Sequence, residues 1–119
     1  MKVVVTATGA SVDSAVDPRF GRAAAFILVD TESGEIQVQE NQAGVAAMQG
    51  AGIQAAEAVS RLGADCLVTG HCGPKAYRSL LAAGIDVYTG ATGTVAEAIE
   101  QLRSGSLDRS DGPDVGGHW

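Results

Sequence analysis

From Ile53 to Leu102 the chain alternates between helical and extended patterns with almost nothing in between. IQAAEAVSRL places Ile53, Ala56, Val59 and Leu62 at helical spacing and stops at Gly63. DCLVTG is a short extended run. PKAYRSLLAA opens with Pro74 in its first turn and ends at Gly84, and IDVYTG is extended again. TVAEAIEQL closes the series: Thr94 and Glu97 have capping-box spacing, and Val95, Ala98, Ile99 and Leu102 form one apolar stripe. Strands joined through a helix run parallel by right-handed crossovers, so this alternation commits the chain to a layered α/β domain.

Three strands precede that series. KVVVTAT (Lys2 to Thr8) is a β-branched run with the character of a buried strand. AFILVDT (Ala25 to Thr31) and GEIQVQEN (Gly34 to Asn41) are separated only by a tight turn, so they form an antiparallel hairpin. Ile36 and Val38 alternate with Gln37 and Gln39, the pattern of a half-exposed edge strand. The order β-β-β-α-β-α-β-α predicts a mixed five-stranded sheet, strand order 3-2-1-4-5 with strand 2 antiparallel, and three helices. With 45% hydrophobic but only 4% aromatic residues, its core must be aliphatic. The 119 residues suit one domain, expected over 1–104. From Gly105 the sequence GSLDRSDGPDVGGHW has no periodicity, so 105–119 are expected to form a disordered tail.

Several function classes fall away on charge and composition. A formal net charge of −6 leaves no excess of Lys and Arg to neutralise phosphates, so nucleic acid is not an expected partner. The N-terminal apolar run of three valines is neither a signal peptide nor a membrane span, and a cytoplasmic location is expected. Cys66 and Cys72, six residues apart, match no common zinc spacing and read first as reduced thiols, with Cys66 in the core. QGAGIQA matches G-x-G-x-x-A but does not directly follow a strand, and no phosphate-binding P-loop pattern occurs. The first strand has no carboxylate for two-metal chemistry. His118 is a weak, isolated metal signal.

In such a sheet, ligands bind beyond the carboxyl ends of the strands where the winding direction switches, here between strands 1 and 4. Four glycine-rich connections converge there: Gly9 to Arg22, Ala43 to Gly52, Gly70 to Lys75 and Gly90 to Thr94. Glycine in short βα turns is ordinary, but the first two connections are longer than turns require. In GHCGPKA, Pro74 leaves the amides of Lys75 and Ala76 at the positive end of a helix, an arrangement that attracts anions. His71 and Cys72 just before it are candidate metal ligands; in the plainer reading Cys72 packs inward and His71 is simply exposed. Arg19, Arg22, Lys75 and Arg78 are four of only eight basic residues in this acidic chain. Arg19, Arg22 and Lys75 could border one cleft, or Arg22 could pair with Asp13 or Asp17 in its own loop. Met48 is a possible soft contact from the loop AGVAAMQGAG, which would act as a lid.

Five segments, DPRFGRA, GAGIQAAE, TGHCGPKA, LLAAGIDVY and GTVAEAIE, stand in the order and spacing of a known family. Along residues 1 to 104 the chain resembles the nitrogenase iron-molybdenum cofactor-biosynthesis family, the NifX-like and NifB C-terminal-like domains. Within it, the chain looks closest to the orange-protein branch of sulfate-reducing anaerobes, which holds a molybdenum-copper sulfide cluster non-covalently. The resemblance implies a ribonuclease H-like three-layer α/β/α fold and carriage of anionic metal-sulfur clusters in an anaerobe. The family's motifs fall on Arg19, Phe20, Gly21, Arg22, Gly50, Gly52, Gly70, Gly73 and Pro74. Two departures matter. Arg19 stands where many members have histidine, and His71-Cys72 occupies positions commonly neutral or apolar.

The resulting expectation is a non-enzymatic protein that binds, stores or delivers an anionic metal-sulfur cluster, molybdenum-copper sulfide or an iron-molybdenum precursor. It would lie in a cleft at the ends of strands 1 and 4. The expected binding residues are Arg19, Phe20, Gly21, Arg22, Met48, Gly50, Gly52, Gly70, His71, Cys72, Gly73, Pro74 and Lys75, with Cys72 and His71 as optional metal ligands and no catalytic residue. The alternative is a ligand-free regulatory module for a partner ATPase or cofactor-assembly enzyme. A thiol enzyme using Cys72 and His71 is the weakest reading, because no carboxylate is placed to orient His71.

Overall fold

A computed structural model describes residues 1–41 and 50–110. In chain order these form β1 (Lys2–Ala7), a 3-10 turn (Phe20–Arg22), β2 (Ala25–Asp30) and β3 (Ile36–Glu40). They continue with α1 (Ala51–Arg61), β4 (Cys66–Val68), α2 (Pro74–Ala82), β5 (Asp86–Tyr88) and α3 (Val95–Arg103). The strands make one sheet in the order β3-β2-β1-β4-β5. β2 is antiparallel to both β1 and β3, with Val4 opposite Leu28, while β4 is parallel to β1 and β5. The expected mixed five-stranded sheet with three helices is therefore the observed one.

β1 is the hub. Its residues from Val3 onward are buried, which is what a β-branched run between two helical layers requires. Val4 packs with Phe26, Leu67, Val59 and Leu80 beneath α1 and α2. Val3 and Val5 face the other way, with Ile27, Val68, Val95 and Ile99 beneath α3. Each fully buried aliphatic side chain contributes roughly 1.5–3 kcal/mol, so this strand anchors both layers at once. α3 starts as its spacing predicts: the Glu97 amide donates to Thr94 Oγ1 at 3.2 Å, and the Thr94 amide donates to Glu97 Oε1 at 3.0 Å.

Two details depart from the sequence reading. α1 buries Ala51, Ala55, Ala56 and Val59, whereas Ile53 is 39% exposed. At about 100° per residue, Ile53 lies nearly opposite Ala51 and Ala55. The inward face is chosen by small residues that let neighbouring chain come close, not by the largest side chain. Contacts also continue past residue 104, where the single domain was expected to end. The Ser110 amide donates to the Val87 carbonyl at 2.8 Å, and the Tyr77 hydroxyl donates to the Ser110 carbonyl at 2.9 Å. Arg109 pairs with Asp86 at 3.7 Å. The chain up to Ser110 thus reaches the outer edge of β5, using backbone groups that a composition argument does not see. The rest of the expected tail, 111–119, lies outside the described residues.

Cys66 is 2% exposed in the middle of the sheet, as expected for a core thiol. Burial, reinforced by Asp65 and Asp86, pushes this thiol from 9.0 up to about 11. A thiol that ionises more readily when unfolded stabilises the fold below pH 9 and loses that contribution as pH rises toward 11. Denaturant titrations of wild type and Cys66→Ala across this range should show a smaller alkaline loss in the variant. Parallel losses would contradict the assignment.

Candidate functional site

The winding direction switches between β1 and β4, and two threonines stand just past their last paired residues. Thr6 and Thr69 are wholly buried, with hydroxyl oxygens 2.8 Å apart. Thr6 Oγ1 also lies 2.8 Å from the Asp17 carbonyl oxygen. Having one proton, the Thr6 hydroxyl donates to that carbonyl while the Thr69 hydroxyl donates to Thr6. The Asp17 amide donates to the Thr6 carbonyl at 2.9 Å, so the long first connection is drawn back onto the end of its own strand.

That connection then serves two helix ends in different ways. Its earlier part lies over the start of α3. There the amides of Val95 and Ala96 donate to the main-chain carbonyls of Ser14 (2.9 Å) and Val12 (3.0 Å). With the capping box, these bonds satisfy the first turn of α3, so that helix end is closed by the chain itself. The start of α2 is built differently. Gly73 caps it without a side-chain bond, Pro74 has no amide hydrogen, and Tyr77 donates back to the Gly73 carbonyl at 3.0 Å. The amides of Lys75 and Ala76 therefore point off the helix end, as the position of Pro74 predicts.

Residues 17–20 run beside that helix start. The His71 amide donates to the Pro18 carbonyl at 2.8 Å, and the Phe20 amide donates to the His71 carbonyl at 3.3 Å, so Arg19 and His71 are bridge partners. Asp17, only 6% exposed, accepts from the Arg19 amide at 3.0 Å, and its carboxylate lies 3.9 Å from Arg19 Nε. The Arg19 side chain is half exposed, so this ion pair is worth under about 1 kcal/mol; it orients the guanidinium more than it stabilises the fold.

Glycines set the spacing. A Cβ on Gly70 would stand 2.6 Å from Pro18 Cα, and one on Gly21 would stand 2.8 Å from the Gly52 nitrogen. A Cβ on Gly52 would stand 3.0 Å from that of Ala76. The 3-10 turn therefore rests on the first turn of α1, which rests on the first turn of α2. Two helix starts lie side by side, and their positive ends disfavour each other unless negative charge is near.

The expected site residues separate into two groups. Arg19, Arg22, Gly50, Gly52, Gly70, His71, Gly73, Pro74 and Lys75 gather around these helix starts, with Lys75 exposed and His71 and Arg22 half-buried. Phe20 and Cys72 are instead fully buried in the core cluster under α1 and α2. Cys72 Sγ lies 3.7 Å from the Gly73 carbonyl oxygen. Of the two readings of Cys72, optional ligand or inward packing, its burial in the same cluster as Phe20 and Ala76 fits the second. His71 is not simply exposed either. Met48 and most of the expected lid lie outside the described residues. Among the described residues no group of three or more His, Cys, Asp or Glu converges. Sequence reasoning missed Thr6, Thr69 and Asn41, and it offered Asp17 as a partner for Arg22 where the structure sets it against Arg19. Asp17 carried a local signal for Arg19, the Asp-x-Arg spacing that lets a carboxylate accept the amide two residues on; the other three had none.

A family model described as dinitrogenase iron-molybdenum cofactor matches residues 1–105. The apo form of the orange protein from Desulfovibrio gigas superposes with a TM-score of 0.93 at 40% identity, covering 96% of each chain. A NifB-like protein from Thermotoga superposes at 0.80 with 36% identity, covering 91% of each chain. An uncharacterized protein of Methanocaldococcus jannaschii is 33% identical over 96 residues, 79% of this chain and 81% of that one. The chain belongs to the dinitrogenase iron-molybdenum cofactor family.

Gly70→Ala tests the spacing. The added methyl must push Pro18 away, at a cost of about 1–3 kcal/mol typical of overpacking. Chemical denaturation should show that loss, and amide NMR shifts should spread through residues 17–20. A variant as stable as wild type with unmoved shifts would refute the close approach.

Proposed function

We propose that this member of the family binds and carries an anionic metal-sulfur cluster without transforming it, with molybdenum-copper sulfide the first candidate and an iron-molybdenum precursor the second. The cluster is cargo. It sits over the ends of β1 and β4, where Arg19 and Arg22 supply positive charge and the amides of Lys75 and Ala76 supply hydrogen bonds. The observation that carries this reading is the contrast between helix starts: α3 is closed by carbonyls and its capping box, while α2 starts on a glycine and a proline. Family membership and the likeness to the orange protein support a cofactor-related binding role. The buried position of Cys72 favours capture by charge and amides over ligation by thiolate.

Anaerobic purification followed by visible spectroscopy and metal analysis tests the reading directly. The protein should take up tetrathiomolybdate with copper and become coloured. Arg19→Ala combined with Arg22→Ala should weaken uptake at least about tenfold, the scale of one charge-assisted hydrogen bond. Cys72→Ser should leave uptake nearly unchanged. A wild-type protein that takes up neither component would overturn the carrier, and an unaffected double arginine variant would overturn electrostatic capture.

A further inference from the structure

The turn that carries Arg22 is weakly held by its own backbone. Its two internal bonds, Arg22 amide to Arg19 carbonyl and Ala23 amide to Phe20 carbonyl, are 3.3 and 3.5 Å long. What secures it comes from another strand. Asn41, 6% exposed at the end of β3, donates from Nδ2 to the carbonyls of Gly21 (3.3 Å) and Ala23 (2.9 Å). These are the residues immediately before and after Arg22. The Asn41 amide donates in turn to the Ala24 carbonyl at 3.0 Å, which fixes Asn41 beside the start of β2. On its other side the turn meets α1, where Gly21 approaches the main chain of Gly52.

We propose that Asn41 is a positioning residue for anion capture, acting through Arg22. One primary amide has two N–H groups, and here both are used to bracket a single cationic residue. Serine has only one donor, and alanine has none. Alanine leaves both buried carbonyls without that partner and serine leaves at least one, which frees the turn to rotate Arg22 away from the helix starts. The inference rests on the carrier reading above and adds to it a residue that touches no cargo.

The test is a double-mutant cycle read by visible titration with tetrathiomolybdate and copper. Asn41→Ala and Arg22→Ala should each weaken uptake by about tenfold. Together they should weaken it no more than Arg22→Ala alone, because Asn41 acts only through that side chain. Thermal unfolding monitors the fold, and Asn41→Ser supplies the same comparison if the alanine variant does not fold. Multiplying losses, or an Asn41 variant that binds as wild type does, would overturn this inference while leaving the carrier intact. Absence of uptake by wild type would overturn both.

Discussion

The strand ends depend on close approaches that leave little or no room for a Cβ. At Gly70 the β4–α2 turn meets the main chain of Pro18; at Gly21 the 3-10 turn meets the main chain of α1; at Gly52 helix α1 meets the Ala76 methyl at the start of α2. These three approaches place two helix starts and two arginine-bearing segments at one edge of the sheet. The hydrophobic layers on either side of β1 hold the sheet together, but they would tolerate looser connections. Tight connections do something the core does not require: they bring backbone dipoles to one place.

Charge makes that concentration matter. The chain is acidic overall, yet Arg19, Arg22, Lys75 and Arg78 lie in or next to the segments that converge there. Buried polar groups bond the backbone at two of them: Asp17 accepts from the Arg19 amide, and Asn41 donates to the carbonyls on either side of Arg22. Under the proposed reading, such an edge would draw anions by its local field in a chain whose net charge is −6.

Much of the fold was legible because its punctuation is local. Pro74, the Thr94–Glu97 box and the glycines after each helix mark element ends, and period alone separates strands from helices. The strand order followed from handedness and the tight hairpin. What escaped was direction within irregular segments. Nothing in GHCGPKA says that Cys72 turns inward, because a turn has no period to read. Ile53 was misplaced because size was allowed to outweigh the need for small residues at a close helix contact. Asn41 acts on a turn some twenty residues earlier, a relation that only the β2–β3 pairing creates.

The segment 106–110 closes one margin of the sheet. Parallel β5 would otherwise present unpaired amides and carbonyls, a template for another chain. Its strap uses the Ser110 amide on Val87, the Arg109–Asp86 pair and the Tyr77 hydroxyl. A chain ending where helical periodicity stops would keep its core and lose its seal, leaving an adhesive edge.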